Sequence, residues 1–158
     1  MILPEVIRLR ADAVVCAMGT TMAKAKSKAA FRRVDYLLPV VYARGAHEQG
    51  AEICALVTAI GASIDSPFFY ARTKGEVERD VKLIGFKSLT IFRPLIIGGE
   101  RKESRLAEGL VLWFSSLVAP ILPKRFHVNP ASKIATAILE TTIEAKPGCH
   151  YRYAESLV

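Results

Sequence analysis

Ala51-Glu-Ile-Cys-Ala-Leu-Val-Thr58-Ala-Ile-Gly61 decides the fold of this chain, because a short apolar run ends there in a hydroxyl and a glycine turn. Such a run predicts a buried strand. Beyond the turn, Ser66-Pro67 predicts the start of a helix, since serine suits the N-cap and proline suits the first helical position. Strand, turn and helix together indicate one unit of α/β structure.

The same alternation of strand and helix continues on both sides of this unit. Predicted strands cover 13–18, 52–58, 88–93 and 150–154, and predicted helices cover 27–49, 67–84, 103–118 and 131–145. Strands that alternate with amphipathic helices favour a parallel, doubly wound, Rossmann-like sheet with right-handed crossovers. At 158 residues the chain is long enough for one domain with a real core, so we expect a single domain over 1–158.

Tyr70-Ala-Arg-Thr-Lys74 lies in the second predicted helix, where residues four apart share one face. A fixed ammonium favours the phenolate, so we expect Lys74 to lower the pKa of Tyr70 from its usual value of about 10. Such a tyrosine suits proton transfer to or from a carbonyl/alcohol couple. Thr58 ends the preceding strand, and open α/β sheets place ligands at the carboxyl ends of their strands. The alternative is an aromatic that packs against a helix beside a solvated lysine.

Composition narrows the function classes. The net charge of +7 invites a nucleic-acid interpretation, but the basic residues are scattered and no aromatic-interleaved module or helix-turn-helix spacing appears. Only residues 22–28 with Arg32 and Arg33 form a local basic patch. That patch is either a solvated face or a surface that attracts an anionic cofactor. Binding of nucleic acid is therefore disfavoured.

The cysteines indicate the redox state of the protein's surroundings, and the apolar stretches indicate whether a segment could cross a membrane. Cys16, Cys54 and Cys149 lack metal-ligand spacing and are odd in number. We therefore predict buried reduced thiols at Cys16 and Cys54, which lie in apolar strand runs, no metal site and a cytoplasmic location. The stretch 109–123 is uncharged but short, and Pro120 and Pro123 break it. We expect a core or interface helix there and no membrane span.

Several blocks of the sequence resemble the short-chain dehydrogenase/reductase family, in particular its atypical branch of Tat-interacting-protein-like oxidoreductases. The blocks run in the family's order from about residue 10 to residue 105. They are 12–21 (DAVVCAMGTT), 31–35 (FRRVD), 58–62 (TAIGA), 68–78 (FFYARTKGEVE), 92–94 (FRP) and 99–105 (GERKESR).

The resemblance implies roles for individual residues. Tyr70 would be the catalytic acid/base, Lys74 would lower its pKa and hold the nicotinamide ribose, and Thr58 would stand where the family usually carries a substrate-binding serine. The implied cofactor-binding residues are Gly19, Thr20, Thr21, Arg33, Tyr70, Lys74, Pro94, Ile97 and Arg105. The implied substrate pocket is lined by Leu110, Trp113, Phe114 and Leu117.

One departure from the family pattern is large. No Gly-x-x-Gly-x-x-Gly turn, whose helix N-terminus receives the pyrophosphate, occurs in the 158 residues. We therefore expect an N-terminally incomplete domain that binds dinucleotide poorly and turns over little substrate by itself. An apolar sheet edge exposed by the missing strands would favour self-association or a protein partner.

Two functions of different class remain open. The first is an NAD(P)-dependent oxidoreductase-like domain for an unknown carbonyl or alcohol, with NADP(H) favoured over NAD(H) by the basic surplus and the resemblance to NADPH-binding relatives. The second is a non-catalytic cofactor-sensing or protein-binding regulator on the same scaffold. An intact set of Thr58, Tyr70 and Lys74 favours the first, and the missing glycine-rich turn favours the second.

Overall fold

The computed structural model describes residues 10–95, 97–98 and 129–157. Its strands are β1 (Ala13–Cys16), β2 (Ile53–Val57), β3 (Ser88–Arg93), β4 (Ile97–Gly98), β5 (Asn129–Pro130) and β6 (Gly148–Tyr153). Its α-helices are α1 (Met22–Ala25), α2 (Lys28–Arg32), α3 (Leu38–Glu48), α4 (Phe69–Lys82) and α5 (Ala131–Glu144). A π-helical turn, Arg33–Leu37, joins α2 to α3, and a 3-10 turn covers Ala154–Leu157.

The main sheet has four parallel strands in the order β1-β2-β3-β6. In its register Cys16 lies opposite Leu56, and Leu56 lies opposite Ile91. Parallel strands need crossover connections, and the helices between them supply these. The predicted α/β, doubly wound, Rossmann-like fold is confirmed.

Both faces of the sheet are covered, because successive side chains of a strand point to opposite faces. On one face Cys54 and Leu56 pack in a cluster with Val77 and Val81 of α4. On the other face the cluster formed by Ala55, Val57 and Phe92 packs on Ile134 and Ile138 of α5 and on Leu157. A strand buried on both sides explains why residues 53–57 are continuously apolar.

Helix α4 starts later than predicted, and helix α5 starts at the predicted residue. Helix α4 begins at Phe69, since the Ser66 hydroxyl accepts a hydrogen bond from the Phe68 N–H at 3.2 Å in the preceding turn. Helix α5 begins at Ala131, because the two preceding residues form β5 and pair with β4. Neither helix has a side-chain hydrogen bond at its N-cap.

Helix α4 is held against the turn that precedes it. The Ser63 N–H donates to the Ala71 carbonyl at 3.2 Å. A Cβ added to Gly75 would lie 2.3 Å from the Ser63 carbonyl carbon and 2.4 Å from the Ile64 nitrogen. Glycine at 75 therefore permits a backbone-to-backbone contact that no other residue allows, and this contact sets the position of α4.

None of the helices in the described ranges is long and apolar enough to cross a membrane. The stretch 109–123 and the predicted helix 103–118 lie outside those ranges. The strand cysteines Cys16 and Cys54 are buried as predicted, and burial raises the pKa of the Cys16 thiol to about 11.

Candidate active site

A cavity of about 480 Å³ opens at the carboxyl ends of β1, β2 and β3. This size is within the usual range for small-molecule sites. It is lined by Ala17, Met18, Gly19, Thr20, Thr21, Lys24, Asp35, Val57, Thr58, Ala59, Tyr70, Lys74, Pro94 and Leu95. The structure therefore brings Thr58, Tyr70 and Lys74 to one cavity, where the carboxyl ends of parallel strands meet.

Tyr70 and Lys74 lie one turn apart on α4. The Lys74 Nζ atom is 6.0 Å from the centre of the Tyr70 ring, and the Phe31 ring is 5.6 Å from the same ring. Tyr70 is 42% exposed, so its phenol is open to a small molecule while Phe31 supports the ring from behind. The helical spacing seen in the sequence thus produces a shared face.

Asp35 is a charged cavity residue to which the sequence analysis gave no role. Its Oδ1 atom lies 2.7 Å from the Lys74 Nζ, and its Oδ2 accepts a hydrogen bond from the Thr20 N–H at 2.9 Å. Both side chains of the pair are buried, with 6% of Lys74 and 0% of Asp35 exposed. A carboxylate in the apolar run from Val34 to Val40 was the available signal, since acidic residues are almost never fully buried unless paired.

The prediction that the pKa of Tyr70 is lowered is wrong. The pKa of Tyr70 is raised from its ordinary value, first by burial and then by the negative charge of Asp35. Both causes disfavour the phenolate. The causes of this shift do not include Lys74, whose ammonium is partnered by a carboxylate at 2.7 Å.

Thr58 lines the cavity, but its hydroxyl is engaged elsewhere. It donates to Glu78 Oε1 at 2.7 Å, and Glu78 in turn accepts from Arg93 Nε at 2.9 Å and from Arg93 Nη2 at 2.5 Å. The residue is only 5% exposed. Thr58 thus belongs to a buried polar group beside the cavity, and its hydroxyl proton is directed to Glu78.

The residues predicted to bind the cofactor or to line the substrate pocket do not all lie at the cavity. Gly19, Thr20, Thr21 and Pro94 line the cavity with Tyr70 and Lys74, whereas Arg33 is exposed in the π turn and does not line it. Ile97 contributes backbone to β4, and its side chain lies outside the described residues. Arg105, Leu110, Trp113, Phe114 and Leu117 lie outside them entirely.

The basic patch reaches the cavity only at Lys24, which lines it. Lys28 lies 5.4 Å from the centre of the Phe69 ring, and Arg32 pairs with Glu76 on α4. The described part of the chain brings no three His, Cys, Asp or Glu side chains together in a group fit to hold a metal ion.

No protein-family model matches the chain. It is 44% identical over 139 residues to "Protein FMP52, mitochondrial" of Candida albicans, across 83% of this chain and 61% of that protein. It is 36% identical over 139 residues to "Protein fmp52, mitochondrial" of Aspergillus niger, across 87% of this chain and 59% of that protein. The chain spans about three fifths of the length of these two relatives.

Solved structures share the fold. A dTDP-4-dehydrorhamnose reductase from Bacillus anthracis in complex with NADP is similar with a TM-score of 0.67 and 11% identity, over 94% of this chain and 58% of that one. A UDP-N-acetylglucosamine 4-epimerase from Bacillus cereus gives 0.65 and 14%, over 90% and 58%. RMD from Pseudomonas aeruginosa complexed with NADPH gives 0.63 and 14%, over 96% and 63%. The architecture is therefore that of Rossmann-like reductases and epimerases.

The cytoplasmic prediction is wrong. Relatives that are 44%, 36% and 37% identical to the chain carry the word mitochondrial in their names. The prediction rested on the expectation that the cysteines are reduced. Reduced cysteines indicate a reducing environment, but they do not show which compartment of the cell provides it.

Proposed function

We propose that this chain is part of an NAD(P)-dependent oxidoreductase of the atypical short-chain dehydrogenase/reductase type, acting on a small carbonyl or alcohol. In this proposal residues 1–158 form a single, partial NAD(P)-binding domain. The observation that carries it is Tyr70 and Lys74 on one wall of a cavity at the carboxyl ends of three parallel strands. The fold shared with reductases and epimerases adds support.

The residues present fit the nicotinamide end of a dinucleotide. A Cβ on Gly19 would come within 3.4 Å of Asp35 Oδ1 and 3.7 Å of Lys74 Nζ, so glycine keeps the wall beside the ammonium open. Thr20, Thr21 and Pro94 would complete this end, and the Lys74 ammonium would donate to ribose hydroxyls. When bound, a nicotinamide dinucleotide supplies or accepts a hydride.

The chain's own contribution is proton transfer and orientation. With its pKa raised by burial and by Asp35, the Tyr70 phenol is protonated at neutral pH and can donate its proton to a carbonyl oxygen. Reduction of a carbonyl is therefore the direction that the resting site favours. Tyr70 would be the catalytic residue, and Lys74 would orient the groups around it.

NADP(H) is the proposed cofactor, in preference to NAD(H). Lys24 at the cavity and the net charge of +7 favour the more negative dinucleotide. Two of the similar structures contain NADP or NADPH, although another, MoeE5, contains NAD.

We also propose a mitochondrial location from the names of the relatives. Immunoblots of fractionated cells with the signal confined to cytosol would contradict it.

A non-catalytic, cofactor-sensing role is the second candidate, and two contacts favour it. The Thr58 hydroxyl is directed to Glu78, and the Lys74 ammonium is held by Asp35. Both groups are thus engaged before any ligand arrives. Cofactor binding without turnover, measured on the same preparation, would select this role.

Replacing Tyr70 with phenylalanine is expected to lower NADPH-dependent reduction about 100-fold, because the proton donor is removed while the ring remains. A panel of aldehydes and ketones serves as substrate, after titration with NADPH and NADH to establish which cofactor binds. Tyr153→Phe is the matched control, since Tyr153 is 45% exposed, much like Tyr70, and does not line the cavity. Full activity in Tyr70→Phe would contradict the assignment, and tighter NADH binding would contradict the cofactor choice.

A further inference from the structure

We propose that Asp35 is a positioning residue of this site, which holds the Lys74 ammonium and the turn at Gly19–Thr21 in one arrangement against Tyr70. The inference rests on the proposed function, because it assigns Asp35 to the surroundings of the reacting tyrosine. Its geometry is independent of any cofactor or substrate.

The carboxylate uses each oxygen for a different element. Oδ1 lies 2.7 Å from the ammonium of Lys74 on α4, and Oδ2 accepts from the backbone N–H of Thr20 in the turn after β1. One side chain thereby connects the two walls of the cavity. If it moved, the lysine and the turn would both lose their contact.

The burial of the pair points to a role other than stability. Of the ion pairs in the described ranges, Arg93–Glu78 keeps 19% and 4% of its side chains exposed, and this pair keeps only 6% and 0%. Removing two charges from water costs several kcal/mol per ion, and an apolar pair of similar volume is often equally stable. A buried pair that lines a cavity is better explained by the arrangement it enforces.

The π turn fixes where Asp35 points. Arg32 just before the turn pairs with Glu76, and the Tyr36 hydroxyl within it donates to Asp80 at 2.6 Å. Asp35 lies between these two contacts, so three nearby residues of this segment are attached to α4. Single π turns inside helices occur frequently at functional sites.

The charged groups that line the cavity with Tyr70 come from three elements. They are Asp35 from the π turn, Lys74 from α4 and Lys24 from α1. The negative charge of Asp35 contributes to the raised pKa of Tyr70, after burial. Removal of that charge alone should therefore lower the pKa of Tyr70.

The decisive experiment is Asp35→Asn in the full 158-residue chain, without cofactor or substrate. Asparagine keeps the size and an oxygen for the Thr20 N–H, and it loses the charge. Ionisation of Tyr70 is followed by phenolate absorbance, with the Tyr70→Phe counterpart of each protein subtracted. We expect a lower titration midpoint in Asp35→Asn than in the unmodified chain. Asp80→Asn is the control, since Asp80 accepts from Tyr36 instead, and it should leave the midpoint of Tyr70 unchanged.

A second measurement needs no variant and applies even if Asp35→Asn does not fold. The amide hydrogen of Thr20 should exchange slowly in the unmodified chain, because a buried carboxylate accepts its hydrogen bond. An unchanged midpoint in folded Asp35→Asn, or exchange of the Thr20 amide at the rate of an unstructured peptide, would overturn the proposal.

These readouts separate the inference from the proposed function. A shifted midpoint in a protein that reduces no carbonyl would support the positioning of Lys74 and count against the oxidoreductase. Where turnover is measurable, we expect Asp35→Asn to lower kcat up to about 100-fold with a smaller change in KM, since misplacement of the reacting groups by about 1 Å costs that much.

Discussion

Lys74→Met should lower the free energy of unfolding by about 3–5 kcal/mol, the usual cost of leaving one charge of a buried pair without its partner. Methionine fills similar space, so the loss comes from the carboxylate that remains. The Asp35 side chain is 0% exposed, so its charge is poorly solvated once the ammonium 2.7 Å away is gone. Urea denaturation monitored by circular dichroism measures the change.

Lys87→Met is the matched control for this substitution. Lys87 pairs with Glu52 at 3.4 Å, but about two thirds of each side chain is exposed, and such pairs contribute at most about 1 kcal/mol. The double variant Asp35→Leu/Lys74→Met should recover most of the loss, because neither charge remains to be buried. A loss of under about 1 kcal/mol in Lys74→Met would mean that Asp35 is not sealed from water.

Gly75→Ala should destabilise the chain by about 3 kcal/mol or more, at the upper end of the cost of overpacking. The added Cβ would lie 2.3 Å from the carbonyl carbon of Ser63, a backbone atom that cannot rotate away. Alanine elsewhere in a helix stabilises by about 1 kcal/mol relative to glycine, so steric repulsion and helix propensity have opposite signs here. Thermal unfolding of the two proteins decides between them.

Gly85→Ala separates the steric effect from backbone strain. Gly85 has a φ of +90°, and nothing lies within 4 Å of an added Cβ, so only the conformational cost of about 1–2 kcal/mol applies. Equal losses in the two variants would show that α4 can move away from the turn at Ser63–Ile64. Such movement would also displace Tyr70 and Lys74 from the cavity.

The fold was accessible from sequence because it depends on local patterns. The apolar runs at 53–57 and 88–93 and the helices between them are short-range features, and parallel pairing follows from their alternation. The shared face of Tyr70 and Lys74 also follows from spacing along one helix. These features needed no knowledge of distant contacts.

The ion pairs and hydrogen bonds of the site could not be predicted from the sequence in the same way. Asp35 meets Lys74 across 39 positions of sequence, and Thr58 meets Glu78 across 20. Helix spacing shows which face a residue occupies, but it does not show which charge lies opposite. The predicted direction of the pKa shift of Tyr70 was therefore wrong, although Tyr70 and Lys74 were correctly predicted to share one helix face.

The π turn at Arg33–Leu37 affects how the sequences of related proteins are to be compared at this position. A π turn contains one residue more than the α-helical turn it replaces, and each residue rotates a helix by about 100°. Deleting a single residue between α2 and α3 would restore regular winding and turn the preceding segment away from α4. Aligned relatives that lack one position here would carry a different residue in the place of Asp35. A one-residue gap in an alignment would then mark a change of chemistry rather than a neutral loss.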